Sequence, residues 1–539
     1  MTRKIILALA LFGAAGGVNA AGATSKPRLI VNIVVSQMPY DYLRQFSPNF
    51  GDGGFRRFAS QGLNFSQASY TFSKTTTPAT LASLTTGAYP DMHGIVADRW
   101  IDFTTNRTIS LIDDERVSGL ACDAGCGRYS PANLLLPTLG DKLMAESPGS
   151  RVVTIALDPL SAVVLGGRSR DVYWMDDTRG NWVSSTAYMS SLPQWVASYN
   201  QSHTAENMLG FRWTPFIHPE KYLYDKHTAI DVEWAAGRGS SAQSSAKASG
   251  GKQSYASLLK TPVGNMLVTD MARQVITYEG LGKGKGGATD ILNICFDTPR
   301  YVGEKYGSRS MEVEDVFYRL DDDIAEMVNF IKAQMPTQSV LFVLTSDHGT
   351  NLQGGEQERF NSDMFRLLVN GLLSSQYGRQ EWAVGFIDGE LYLNHDVILS
   401  QNLDLAQLQA KVASFAVQFS GVSHALTGSA MGGGYFGSGY ARMMQRSYYP
   451  KRSGDVMLNL MPGWTVDRDK VLSCSGSMYD YDAHVPLMLL GTAIPAGEVR
   501  TPVDMCALAP TLARILGISP PMAPETPLVD QILDCYENR

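Results

Sequence analysis

Leu344-Thr345-Ser346-Asp347-His348-Gly349-Thr350 closes an apolar run that starts at Ser339. A short apolar run ending in an adjacent Asp–His pair and then glycine is how an α/β enzyme presents metal ligands at the carboxyl end of a strand. Comparable runs stretch from Leu29 to Val35, Val152 to Leu157, Ile291 to Phe296 and Val485 to Leu490. Their nearly continuous apolar character is that of strands covered on both faces. Helical periods lie between them. The clearest runs from Met311 to about Met335, with Val313, Val316, Leu320, Ile324, Met327, Val328 and Ile331 at i, i+3 and i+4 spacing. Strands alternating with helices predict an α/β fold, with a mostly parallel central sheet carrying helices on both faces.

Outward from that pattern, the core is expected to draw on residues 21–174, 286–375 and 454–539. Residues 175–285, rich in Trp and Tyr, read as a cap or insertion over the sheet. Residues 376–453 read as an accessory α+β region, opened by a hairpin that turns at Asp388-Gly389. Three stretches break the alternation: a Ser/Ala/Gly-rich loop at Gly237–Ser254, a Gly/Lys turn at Gly282–Gly287, and a Gly-rich aromatic segment at Met431–Tyr440.

Residues 1–20 have the form of a signal peptide. A basic head, Arg3-Lys4, precedes an apolar stretch from Ile5 to Ala15, and small residues lead to a cut before Ala21. No later apolar run reaches the roughly 18 residues that a transmembrane helix needs. A secreted or periplasmic protein is therefore expected, without a transmembrane segment after cleavage. With 539 residues, 44% of them hydrophobic, the chain can bury a large core. A net charge of −7 and the lack of a basic block argue against a nucleic-acid partner. Six cysteines in an oxidising compartment allow up to three disulfides, and spacing favours a local bridge between Cys122 and Cys126. Cys295, inside an apolar run, reads as a small buried hydrophobe.

Thr77-Pro78 opens a helical stretch. Threonine is a good N-cap, proline suits the first helical turn, and the helix start offers N–H groups to an anion. By itself this pattern describes a capping threonine as readily as a nucleophile. The wider order of motifs adds to it: Leu29 to Ser36, Gly53-Gly54-Phe55, the Thr77 segment, Thr86-Gly87-Ala88-Tyr89-Pro90, His93-Gly94-Ile95, Tyr301-Val302-Gly303, Ser346-Asp347-His348-Gly349 and Tyr481-Asp482-Ala483-His484-Val485-Pro486. This series resembles the alkaline phosphatase superfamily from about residue 27 to about 520. It is most similar to the secreted phosphate-irrepressible monoesterases and to the phosphodiesterase/nucleotide pyrophosphatases.

The resemblance implies a two-zinc phosphoryl transferase in which Thr77 is the nucleophile. Asp347 and His348 would be ligands of one zinc and His484 of the other. Other positions depart from the family pattern. Ser36 stands where a carboxylate ligand is expected, and Arg300 and Glu304 stand where an aspartate and a histidine are expected. An arginine cannot ligate zinc. At ~4 Å and an effective dielectric of ~20, a +1/+2 pair repels by about 8 kcal/mol. Substrate-facing positions change likewise: Asp98 replaces an asparagine, and Asp158 and Leu160 replace a lysine and an arginine. Sliding the motif to begin at Asp297 puts Tyr301 at the histidine position and does not restore the set.

Three readings follow. One is a catalytically impaired pseudophosphatase with a binding or assembly role, an envelope protein as candidate partner, and Arg300 paired with Glu304 or Asp347 in place of a cation. A second is a one-metal hydrolase of phosphoric or sulfuric esters, with Thr77 as nucleophile and Arg300 replacing the second metal. The third is a standard two-zinc alkaline phosphatase with differently placed ligands. The cofactor is accordingly none, one divalent ion (zinc first), or two zinc ions.

Overall fold

The computed structural model describes residues 26–209, 211–224, 232–233, 255–283, 287–335, 340–351, 358–467 and 471–537. The signal-peptide segment, the whole Gly237–Ser254 loop, His227, and residues 284–286 of the Gly/Lys turn lie outside them.

Ten strands form the central sheet, in the order Gly497–Val499, Leu63–Phe65, Leu487–Gly491, Val340–Thr345, Leu29–Val35, Asp290–Phe296, Val152–Ala156, Asp171–Asp176, Asn181–Ser185 and Gly119–Leu120. The five strands from Val340–Thr345 to Asp171–Asp176 run parallel. The expected run at 485–490 is a strand, Leu487–Gly491, but it pairs antiparallel with Val340–Thr345. The alternation of the pleat divides the core in two. Ile30 and Val34 face the helices Thr77–Thr86, Pro159–Gly166 and Leu508–Leu516, while Leu29, Val31, Ile33 and Val35 face Val263–Glu279 and Met311–Gln334. The α/β sandwich expected from the sequence is the fold observed. Met311–Gln334 spans the predicted helix and is capped by Ser310, whose hydroxyl accepts from the Val313 amide.

Segment boundaries differ from expectation in two places. Residues 175–285 are not simply a cap: Asn181–Ser185 is a strand of the central sheet, and Val263–Glu279 packs in the layer beneath it. Apolar residues on that helix, such as Val268, Ala272 and Val275, are fully buried because the sheet covers them. The accessory region is also wider than 376–453. Its four-stranded sheet includes Val456–Leu460 beside Ala383–Ile387, Glu390–Leu393 and Val422–Thr427. Phe365 and Val369 of the helix Ser362–Tyr377 are buried in the same separate core. The hairpin turns at Asp388-Gly389 as predicted, both residues holding positive φ, 49° and 82°.

A disulfide joins Cys122 to Cys126; Cys295, Cys506 and Cys535 are buried, and Cys474 is half-buried. Among the described residues no helix is long and apolar enough to cross a membrane.

Candidate active site

Parallel strands deliver the polar residues to one end of the sheet. Ser36 follows Leu29–Val35, Asp347 follows Val340–Thr345, Asp297 follows Asp290–Phe296, and Asp158 comes two residues after Val152–Ala156. Ligands collect at the carboxyl ends of such strands because the chain reverses there into loops and helix starts.

Thr77 is the first residue of its helix, with Thr76 rather than Thr77 in the N-cap position. Its hydroxyl is therefore not spent on capping. Thr77 Oγ1 lies 2.9 Å from His348 Nε2, and His348 Nδ1 lies 2.8 Å from the Gly349 carbonyl. A carbonyl only accepts, so Nδ1 carries a proton; in the neutral tautomer this leaves Nε2 as the acceptor facing the threonine hydroxyl. Asp347 is fully buried beside this pair. Its Oδ1 accepts from the amides of Gln37 (2.9 Å) and His348 (2.7 Å), and its Oδ2 accepts from the Ser36 hydroxyl at 2.6 Å. Gln37 takes the left-handed conformation, φ 62°, as the chain turns to aim that amide.

The structure brings Thr77, His348, Asp347 and Ser36 together. It does not bring His484 to them. That imidazole stacks on Tyr40, ring centroids 4.8 Å apart, and its Nε2 lies 3.0 Å from the Ser66 carbonyl. The cavity beside Thr77 is about 330 Å³ and is lined by Asp98, Asp158, Leu160, Arg300 and Glu304; its facing wall is Val471, Ser473, Cys474 and Ser475. Sequence reasoning missed this wall. Its signal was a run of small polar residues, Ser473-Cys474-Ser475-Gly476-Ser477, just upstream of the His484 motif.

Arg300 points inward. Its guanidinium is 2.5 Å from Asp158 Oδ2, 3.4 Å from Glu304 Oε1 and 3.7 Å from Asp297 Oδ1, and it lies over the Tyr301 ring at 4.7 Å. Of the two partners expected for it, Glu304 is present and Asp347 is not, because Ser36 and the Gln37 amide hold Asp347 elsewhere. Asp158 also caps the helix Pro159–Gly166, its Oδ1 accepting from the Leu160 amide. Asp297 accepts from the Leu157 and Asp158 amides and from the Ser161 hydroxyl. Burial first, and then Asp158, push its carboxyl up to about 6, against the pull of Arg300.

The expected metal pair has two positions. At the second, a guanidinium held by three carboxylates fills the space and His484 is turned away, so the residues do not fit a zinc ion. At the first, one carboxylate, one imidazole and the Thr77 hydroxyl remain, which is short of the three strong ligands usual at catalytic zinc. Among the described residues there is no cluster of three or more His, Cys, Asp or Glu side chains arranged to hold a metal.

Comparison with known proteins agrees with the fold. The family model described as type I phosphodiesterase / nucleotide pyrophosphatase matches residues 30–482. The alkaline phosphatase PhoV of Synechococcus elongatus is 28% identical over 92% of this chain and 91% of its own length. The alkaline phosphatase PafA of Elizabethkingia meningoseptica is 27% identical over 96% and 97%. A crystal structure of wild-type PafA superposes with a TM-score of 0.85 at 25% identity, covering 95% of this chain and 99% of that one. Murine ectonucleotide pyrophosphatase/phosphodiesterase 5 shares the fold more distantly, with a TM-score of 0.52 at 12% identity.

Proposed function

The chain belongs to the type I phosphodiesterase / nucleotide pyrophosphatase family, within the alkaline phosphatase superfamily, and on that premise we propose that it is a pseudophosphatase. It keeps the scaffold, has lost two-metal phosphoryl transfer, and serves the cell envelope as a binding protein. The observation that carries this reading is the Arg300 guanidinium seated between Asp158 and Glu304. The arginine carries a permanent charge without the Lewis acidity that activates a nucleophile. The cavity is also the wrong sign for a phosphate dianion: among the described residues that line it, Asp98, Asp158 and Glu304 outnumber Arg300.

Elemental analysis and phosphomonoesterase assays of the purified protein test the proposal. Substoichiometric zinc and no Thr77-dependent turnover are expected. A variant carrying Ser36→Asp beside Asp347, with Arg300→Asp, Glu304→His and Ser475→His in the walls of this cavity, supplies carboxylates and imidazoles and should gain zinc. Tightly bound zinc near two equivalents in the unaltered protein, with turnover abolished by Thr77→Ala, would overturn it.

A second reading rests on the 2.9 Å contact between Thr77 and His348. A threonine hydroxyl whose proton an imidazole can accept is an activated nucleophile. A single divalent ion held by Thr77, Asp347 and His348 would take that Nε2 in place of the proton and would itself activate the hydroxyl; such a site suits a phosphodiester or a sulfate monoester, which brings less negative charge into an acidic cavity. Assays of those esters with added zinc, manganese or calcium separate the two readings. An unchanged rate in Thr77→Ala removes the second.

A further inference from the structure

A second cavity, about 320 Å³, abuts the first where residues 157–160 meet residues 300–304. Tyr129, Trp174 and Tyr301 contribute aromatic surface to it, and Asp176 and Asp177 contribute carboxylates. Among the described residues lining it there is no lysine or arginine. The nearby Arg179 pairs with Asp123 of the disulfide loop. Tyr129 reports the local field: burial first, then Asp113, Asp158, Asp177 and Asp176, push its hydroxyl above the usual phenol range. A chamber with aromatic walls and uncompensated carboxylates attracts a soft, weakly hydrated cation and repels anions.

The molecule already contains one example of this recognition. The Arg300 guanidinium lies on the Tyr301 ring and against Asp158, and Tyr301 also lines the second cavity. On the other side of the Arg300 wall, Thr76 lines the first cavity, is only 8% exposed, and has an Oγ1 without a hydrogen-bond partner. A buried hydroxyl left unsatisfied beside a cavity marks a place where a polar ligand atom completes the bonding.

We propose that the cavity walled by Tyr129, Trp174 and Tyr301 and edged by Asp176 and Asp177 binds an organic ammonium cation. The aromatic faces take its alkyl groups and the carboxylates its charge. The inference rests on the pseudophosphatase reading in one respect: Arg300 stands as a fixed cation where a metal would otherwise hold the neighbouring anion site.

Calorimetric titration of the full chain at low salt, with choline and with tetramethylammonium, tests this, and inorganic phosphate serves as the anionic comparator. Saturable binding of both cations and none of phosphate is expected. Asp176→Asn with Asp177→Asn should weaken choline by about tenfold, and Tyr129→Leu by about fivefold, as expected for lost ion-pair and cation–π contacts. A choline-dependent rise in melting temperature, present in the parent and reduced in both variants, confirms that the variants are folded and that they bind less. No saturation by either cation at millimolar concentration, or undiminished binding in both folded variants, overturns the inference. Its failure is distinguishable from failure of the pseudophosphatase reading, because zinc content and turnover are measured separately. Absent ammonium binding in a zinc-free, inactive protein sinks only this inference.

Discussion

Arg300 is held by three carboxylates, and removing it tests how tightly they depend on it. Arg300→Met leaves Asp158 and Asp297 facing each other without a cation, and should cost about 3–5 kcal/mol, the usual penalty for breaking a buried ion pair from one side. Adding Asp158→Asn keeps the helix cap, because an asparagine oxygen still accepts from the Leu160 amide. It also removes one of the stranded charges, so the double variant should recover about 1–3 kcal/mol as a coupling energy. Urea unfolding of the four proteins measures this, and strictly additive costs would show that the 2.5 Å contact carries no coupling. At this scale the sequence told residue types better than directions. Ser36, Arg300 and Glu304 are legible as substitutions, and the structure places Arg300 and Glu304 together. The partnership with Asp158 is not legible, since it depends on two strand ends 142 residues apart in the chain. The His484 ring is equally opaque. It leaves the helix Asp480–Ala483 at its C-cap and stacks on Tyr40, a direction that residue type does not encode.

Elements were easier to read than side-chain directions, for a physical reason. A strand buried on both faces must be apolar throughout, so Leu29–Val35, Val152–Ala156, Asp290–Phe296 and Val340–Thr345 announce themselves. Strand direction leaves no such trace, and Leu487–Gly491 runs antiparallel although its composition matches its parallel neighbours. The accessory hairpin was legible from Asp388-Gly389, because those residue types tolerate the positive φ that a tight turn demands. Its next residue carries a pH prediction. Glu390 is buried, and burial pushes its carboxyl from 4.5 up to about 7, against Lys74 and the Gly454 amide, which pull it down. The folded state then binds this proton more tightly than the unfolded chain does. Stability contributed by the protonated group is full below about pH 4.5 and is lost as pH rises toward 7. Glu390→Gln should remove that slope, worth about 3 kcal/mol at most across the window. Relative to the parent, the variant's melting temperature should rise between pH 4.5 and 7 and level off above. A constant difference across that range would show that Glu390 ionises as it does in the unfolded chain.

Across the whole molecule, the accessory sheet has an apolar core of its own, while its Tyr392, Val384 and Ile387 pack with the core of the central sheet. Gly385 of the accessory sheet sits so close to Ile101 that an added Cβ would lie 2.2 Å from Ile101 Cδ1. Arg452 is the stronger link. It reaches from the accessory side to the carbonyls of Gly94 (2.5 Å) and Asn133 (2.8 Å), and its guanidinium lies 4.5 Å from the Trp100 ring. Its own carbonyl accepts from the Tyr392 hydroxyl, which ties that strand to the same point. Arg452 is thus one polar anchor among several across the junction, beside Lys74 to the Asp388 carbonyl, Arg446 to Thr71 and Ser73 to Ser447, and the two cores are expected to melt together while these hold. Arg452→Met keeps the stem and deletes the charged hydrogen bonds, leaving two carbonyls without their donor, at a cost of about 2–4 kcal/mol. Because that cost falls on the junction rather than on either core, cooperativity should suffer along with stability. Scanning calorimetry should show one transition in the parent. In Arg452→Met it should show a lower-temperature shoulder from the accessory sheet, with the calorimetric enthalpy exceeding the van't Hoff value. A single undisplaced transition in the variant would mean that the apolar contact around Gly385 and Ile101 joins the two sheets without help from the arginine.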